Sequence, residues 1–280
     1  LMGGSAYNYF IPGQPPRFND VWSFNSSQWL PLTLDAEWSK RQGTYNGLFF
    51  NNKFWVIGGW DYLGSLVNDI WNSSNGISWN KVLSNAPWSE RIGSATVVFN
   101  NKIWIMGGWQ PFGGYLNDVW SSSDGINWKQ ETKNAPWVGR YGFSATVYNN
   151  KIWIMGGTQS PSNRLNDVWS SSDGINWIQV DNELTIPGIQ NAPWKKQTEF
   201  PIIVFNSKIW VMSGYTGNYD NYIWSFDGLT WKQEVVNAPW GSRSSYTGFS
   251  FDNKMWIVGG SQAGVDENID ANRNDVWSSS

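Results

Sequence analysis

Five times along the chain a version of NNKIWIMGG recurs, followed in order by relatives of NDVW, SSSDGINW and NAPW. The tryptophans of the second element, Trp22, Trp71, Trp120, Trp169, Trp224 and Trp277, are spaced by 49, 49, 49, 55 and 53 residues. Residues 100–108 repeat as 149–157 without change, and 116–128 as 165–177. A unit of this length cannot bury its apolar face alone and must stack on its neighbours, so the period itself points to a repeat architecture. One domain spanning 1–280 is expected, in units of about 1–40, 41–90, 91–139, 140–196, 197–242 and 243–280.

Within the unit 91–139, the stretch 94–99 is apolar and rich in β-branched residues, and Asn100-Asn101 separates it from a second such stretch at 102–106. Two β-prone runs joined by Asn-Asn read as a hairpin, because Asn tolerates the positive φ of a tight primed turn. A third run at 117–121 and a fourth at 127–131 flank Asp124-Gly125, which supplies the same turn chemistry. No segment sustains a 3.6-residue apolar period, so helix is not expected. Four short antiparallel strands per unit, repeated around an axis, make an all-β propeller whose edges stay short and protected. Six blade equivalents are counted, with incomplete terminal blades; six blades are expected, with seven as the alternative. The chain opens on LMGG and stops at DVWSSS, which reads as a piece of a longer polypeptide. Each recurring Trp buries on the order of 150–250 Å², so Trp layers between blades are expected to form the main core.

The pattern Arg…NNKIWIMGG…LNDVW…W…PW resembles the kelch repeat, whose marks are a Gly-Gly doublet after the second strand and spaced downstream aromatics. The likeness covers essentially the whole chain. It departs in the second strand, where Trp stands for the commoner Tyr, and at Ser213-Gly214, where Gly-Gly is expected. The resemblance implies a propeller of the galactose-oxidase-like central-domain type. The SSSDGINW segments are similar to the Asp-box of sialidase-type propellers, one residue shorter between Asp and Gly. That box is a structural hairpin and implies no glycosidase activity.

Composition narrows the function. Cysteine and histidine are both absent, which removes disulfides, thiol nucleophiles, imidazole chemistry and most zinc and copper sites. A copper radical oxidase of the kelch-like architecture needs both residues and is excluded. A net charge of −3 with 15% charged residues gives no basic field for nucleic acid. No apolar run of about 18 residues is present to span a membrane.

Variation is concentrated in the loops between second and third strands, where a fixed scaffold carries recognition. Of the 23 tryptophans, only Trp60 and Trp109 fall outside repeat positions; both directly follow Gly-Gly. Around them in the loops stand Tyr62, Phe112, Tyr215 and Tyr219, together with Tyr7, Tyr9, Phe10 and Tyr115. Aromatics beside Asn, Gln and Asp suit sugars, whose C–H faces stack on rings while hydroxyls take planar partners. They equally describe anchors for a protein ligand, or rings that pack on neighbouring loops and cover the channel mouth.

Arg41, Arg91, Arg140 and Arg243 open successive first strands, with Gln197 in the fifth place. In peptide-binding kelch domains Arg at this position contacts acidic ligands, and the resemblance makes these four candidates. Bidentate pairing of guanidinium with carboxylate fits that role. The alternative is structural: each Arg bonds loop carbonyls or pairs with an NDVW aspartate. Those aspartates, Asp20, Asp69, Asp118, Asp167 and Asp275, are broken only by Tyr222. They read as turn caps or hydrogen-bonding groups rather than a cation ring. Asp266, Asn268, Asp270 and Asn272 alternate like the start of a calcium loop, although Ala271 stands where Gly is preferred. Calcium is the one cofactor considered; a solvated polar loop is the alternative. Residues 181–190 are an insertion between the fourth unit's last strand and the next. A sialidase- or epimerase-like enzyme would draw on Arg91, Arg140, Glu90 and Tyr62, with no motif to fix their geometry. The function expected is non-catalytic recognition of a glycan or protein ligand on the loop face, at an extracellular or cell-surface location, with a structural assembly subunit as the alternative.

Overall fold

The computed structural model describes residues 2–5, 17–43, 47–180, 191–217, 220–262 and 272–280. Among them there is no helix; the secondary structure is short antiparallel strands. The chain divides into two compact units, Leu1–Asn134 and Ala135–Ser280.

In the first unit the clearest sheet consists of Ala95–Phe99, Lys102–Gln110, Gly114–Ser122 and Lys129–Thr132, paired in chain order as a meander. The sheet before it, Leu48–Phe50, Lys53–Asp61, Leu66–Ser73 and Asn80–Leu83, has the same order. The two-residue strand Arg41–Gln42 joins it to Arg17–Phe24, which also pairs with Met2–Ser5 and Trp29–Thr33, giving eight strands in all. The second unit holds the meanders Ser144–Tyr148 to Ile178–Gln179 and Ile202–Phe205 to Trp231–Val235. A three-stranded sheet, Thr247–Phe251, Lys254–Val258 and Val276–Ser279, follows. Four complete four-stranded meanders thus repeat in propeller fashion. Within each unit, first strands of successive sheets lie side by side: Leu48–Phe50 beside Ala95–Phe99, and Ser144–Tyr148 beside Ile202–Phe205 beside Thr247–Phe251.

The hairpin turns follow from their residues. Asn51-Asn52, Asn100-Asn101, Asn149-Asn150, Asn206-Ser207 and Asp252-Asn253 all take positive φ at both positions, the geometry that lets a two-residue turn match strand twist. The second strand differs from its sequence reading. It does not stop at Gly-Gly but runs on through Trp60 and through Trp109–Gln110, with a register shift at the doublet. Gly107 and Gly108 take φ of 55° and 105°, which only Gly adopts at little cost. A Cβ on Gly108 would sit 2.9 Å from the Ile92 carbonyl oxygen. The doublet is therefore a bulge that bends the strand and admits the next segment's backbone.

Tryptophan builds the core. Trp55, Trp104, Trp153, Trp210 and Trp256 each donate Nε1–H to the carbonyl five residues back, at 2.9–3.0 Å, tying second strand to first. The NAPW tryptophans pack edge-on against the tryptophan that opens the fourth strand of the following sheet, with centroids of Trp88 and Trp128 4.6 Å apart, Trp38 and Trp79 6.0 Å, and Trp137 and Trp177 6.0 Å. Trp38, Trp137 and Trp194 are almost wholly buried. In the second and fourth repeats the Asn before the NDVW Asp clamps the NAPW segment that follows: Asn68 donates to the Ala86 and Trp88 carbonyls at 3.1 and 2.8 Å, and Asn166 to those of Ala192 and Trp194 at 2.9 and 3.0 Å.

Candidate functional site

The arginines that open the repeats are sequestered. Arg41, Arg91, Arg140 and Arg243 are 0–5% exposed. Each forms a two-point ion pair with the NDVW aspartate of its own repeat, at 2.6 and 3.0 Å for Arg41–Asp69 and 2.6 and 2.9 Å for Arg91–Asp118. Arg140–Asp167 and Arg243–Asp275 repeat the arrangement. One terminal nitrogen also donates to the carbonyl of the first glycine of the doublet, Gly58, Gly107, Gly156 or Gly259, at 2.9–3.0 Å. The same aspartates accept Nε1–H of the Trp two residues on, at 2.7–2.8 Å. The guanidiniums thus pin the bulge that carries Trp60 and Trp109, and are not offered to a ligand. The sialidase-like set drew its cation cluster from Arg91 and Arg140, so it loses that cluster here.

Gln197 and Tyr222, two separate exceptions in sequence, are partners. The Tyr222 hydroxyl donates to Gln197 Oε1 at 3.0 Å, Gly214 N–H donates to the same oxygen at 2.8 Å, and Gln197 Nε2 donates to the Met212 carbonyl at 3.2 Å. A neutral pair replaces the ion pair in the same socket. Burial, with the nearby Asp220 charge, pushes the Tyr222 phenol well above its ordinary pKa, keeping it a donor.

The residue after each Arg position bridges the residue after the doublet. Ile92 and Trp109 exchange backbone hydrogen bonds of 3.0 and 2.8 Å, and Gln42–Trp60, Tyr141–Thr158, Thr198–Tyr215 and Ser244–Ser261 pair alike. This bridge fixes where the odd tryptophans stand. Trp60 and Trp109 come together with Phe112 in the wall of a cleft of about 670 Å³ in the first unit. The remaining wall comes from Gly64 to Leu66, Asn68, Ser89, Glu90, Ile92, Gln110 and Pro111. Phe112, at the hairpin tip, is fully exposed, and the Gln110 side chain lies against Gly113. One side of Trp60 is occupied: the buried Arg17 guanidinium lies 4.6 Å from its ring centroid. The opposing tip is held by Asp61, whose Oδ1 accepts the backbone N–H groups of Leu63 and Ser65 at 3.0 and 2.9 Å. Tyr62, 52% exposed on that tip, is not part of the wall.

Tyr215 belongs to the second unit, with the Arg164 guanidinium 4.3 Å from its ring centroid. Tyr219, Asp266, Asn268, Asp270 and the insertion 181–190 lie outside the described residues; Asn272 bridges Ser261. Among the described residues no group of three or more His, Cys, Asp or Glu is placed to hold a metal ion. Among the same residues no helix is long and apolar enough to cross a membrane. Gln110 was legible as a loop residue and Glu90 only as a member of the sialidase-like set; their convergence depends on the Ile92–Trp109 bridge, a backbone pairing that no side-chain pattern marks.

The family profile described as the kelch motif matches residues 90–121 and 139–170, each beginning one residue before the Arg of its repeat and ending one residue past NDVW. No curated protein matches the chain. Those two matches, together with the Gly-Gly doublets and four-stranded meanders repeated on either side of them, support a kelch-repeat propeller.

Proposed function

We propose that this chain is a non-catalytic recognition module whose ligand, a glycan or a protein, enters the cleft walled by Trp60, Trp109 and Phe112. The observation that carries this reading is the convergence of the two non-repeat tryptophans on one cleft with a fully exposed Phe. Kelch repeats generally mediate binding, and a volume of about 670 Å³ falls in the usual range of roughly 300–1,000 Å³ for ligand sites. An exposed aromatic at a cleft mouth is the residue type that anchors a partner. The arginines serve as framework for the site, holding the strand ends that present the rings. The proposal includes a six-unit propeller, supported by the repeat count along the chain. A glycan-array screen and a protein-partner pull-down, run on the wild type and on a folded Trp60→Ala/Trp109→Ala variant, test it. Selective binding lost in the variant supports recognition in the cleft; equal binding by both would leave an assembly subunit as the better account.

A further inference from the structure

The cleft has a charge preference of its own, and the argument rests on the recognition reading above. Among the described residues no lysine or arginine lines it. Arg91, next in sequence to Glu90, turns inward to Asp118 and is 5% exposed. Arg17 lies behind Trp60, buried and outside the lining. Glu90 is exposed at the wall, and its carboxylate has no hydrogen-bond or ion-pair partner among the described residues. Gln110 adds an amide that both donates and accepts.

An anionic ligand entering this cleft meets a free carboxylate and no compensating cation. A neutral sugar does not: its hydroxyls can donate to Glu90 and exchange hydrogen bonds with Gln110, while its C–H face lies on Phe112 or Trp109. A volume of about 670 Å³ is also large for one cationic side-chain head, and suits a ligand of several sugar residues. We propose that the cleft selects neutral glycans and rejects anionic ones, with Glu90 as the specificity-determining residue.

The test is a glycan array carrying neutral oligosaccharides beside carboxylated and sulfated counterparts, read with wild type, Glu90→Gln, Glu90→Lys and Phe112→Ala, each confirmed folded. Wild type should bind neutral members at least about tenfold better than their anionic counterparts, since unscreened like charges in contact are worth that much even near solvent. Glu90→Gln should narrow the gap, and Glu90→Lys should admit anionic members in a salt-dependent manner. Binding that is lost in Phe112→Ala but indifferent to ligand charge overturns the selectivity and leaves recognition standing. Binding insensitive to Phe112→Ala overturns both; no glycan bound at all overturns the glycan selectivity and leaves recognition to the protein-partner pull-down. Direct binding of a lysine-rich peptide, abolished in Glu90→Gln, with no glycan bound, assigns the cleft to a basic protein partner instead.

Discussion

The ion pair between Arg91 and Asp118 shows how one residue's role is set by its partner's burial. Both terminal guanidinium nitrogens of Arg91 are engaged by Asp118, and the aspartate also accepts from Trp120. Asp118→Ala would strand a buried charge, a loss of about 3–5 kcal/mol. The fifth repeat shows the way out, because Gln197 and Tyr222 fill the same socket without charge. The double variant Arg91→Gln/Asp118→Tyr should therefore recover more than half of that loss, read as a coupling energy from denaturant unfolding of both singles and the double. A second residue-scale prediction concerns acid. Burial opposes ionisation of Asp124 and Asp173. It is outweighed by bonds from the Asn127 or Asn176 side chain, from two backbone N–H groups and from the Ser two residues back, which hold each pKa at about 2. A carboxylate with a lowered native pKa stabilises the fold fully above its unfolded value, about 3.9, and loses that contribution as pH falls towards 2. Asp124→Ala should lower Tm at pH 7, and the difference from wild type should shrink between pH 4 and pH 2.

At the scale of the element, the turns were the most legible part of the chain. Asn-Asn carries its conformation locally, so a sequence pattern is enough to place it; Asp124-Gly125, read as the same tight turn, has positive φ at Gly125 alone and lies in a six-residue connection between Ser122 and Lys129. What sits against a turn is not local. A Cβ on Gly125 would clash with the Trp55 ring of the preceding sheet, whereas one on Gly114 meets nothing within 4 Å. Both have positive φ, 75° and 71°. Gly125→Ala should thus cost about 2–4 kcal/mol, combining overpacking with backbone strain. Gly114→Ala should cost only the strain, about 1 kcal/mol; thermal unfolding of the two variants separates the terms. The second strand's continuation past Gly-Gly escaped the sequence for a related reason. A doublet of glycines reads as an end when only propensity is consulted, but the Arg91–Ile92 backbone packed on it turns it into a bulge. The same bridge places Trp109, so the cleft was visible in its residue types and hidden in its assembly.

For the chain as a whole, repetition made the architecture readable, because each unit's apolar face is completed by a neighbour of nearly the same sequence. Divergence from the repeat then marks what the scaffold does not need. Trp60, Trp109 and Phe112 are such departures, and within the first unit they share one wall. The acidic alternation from Asp266 to Asn272 is another departure, and there the sequence offers a pattern whose three leading members lie outside the described residues. Recognition in the aromatic cleft is the central claim, and Phe112 is its most direct probe, since a fully exposed side chain can be removed without disturbing the core. The decisive measurement is the affinity of the best array ligand for wild type and Phe112→Ala at matched Tm. A loss of about tenfold or more, the scale of an aromatic anchor, is the predicted result; unchanged affinity at unchanged stability would contradict the account.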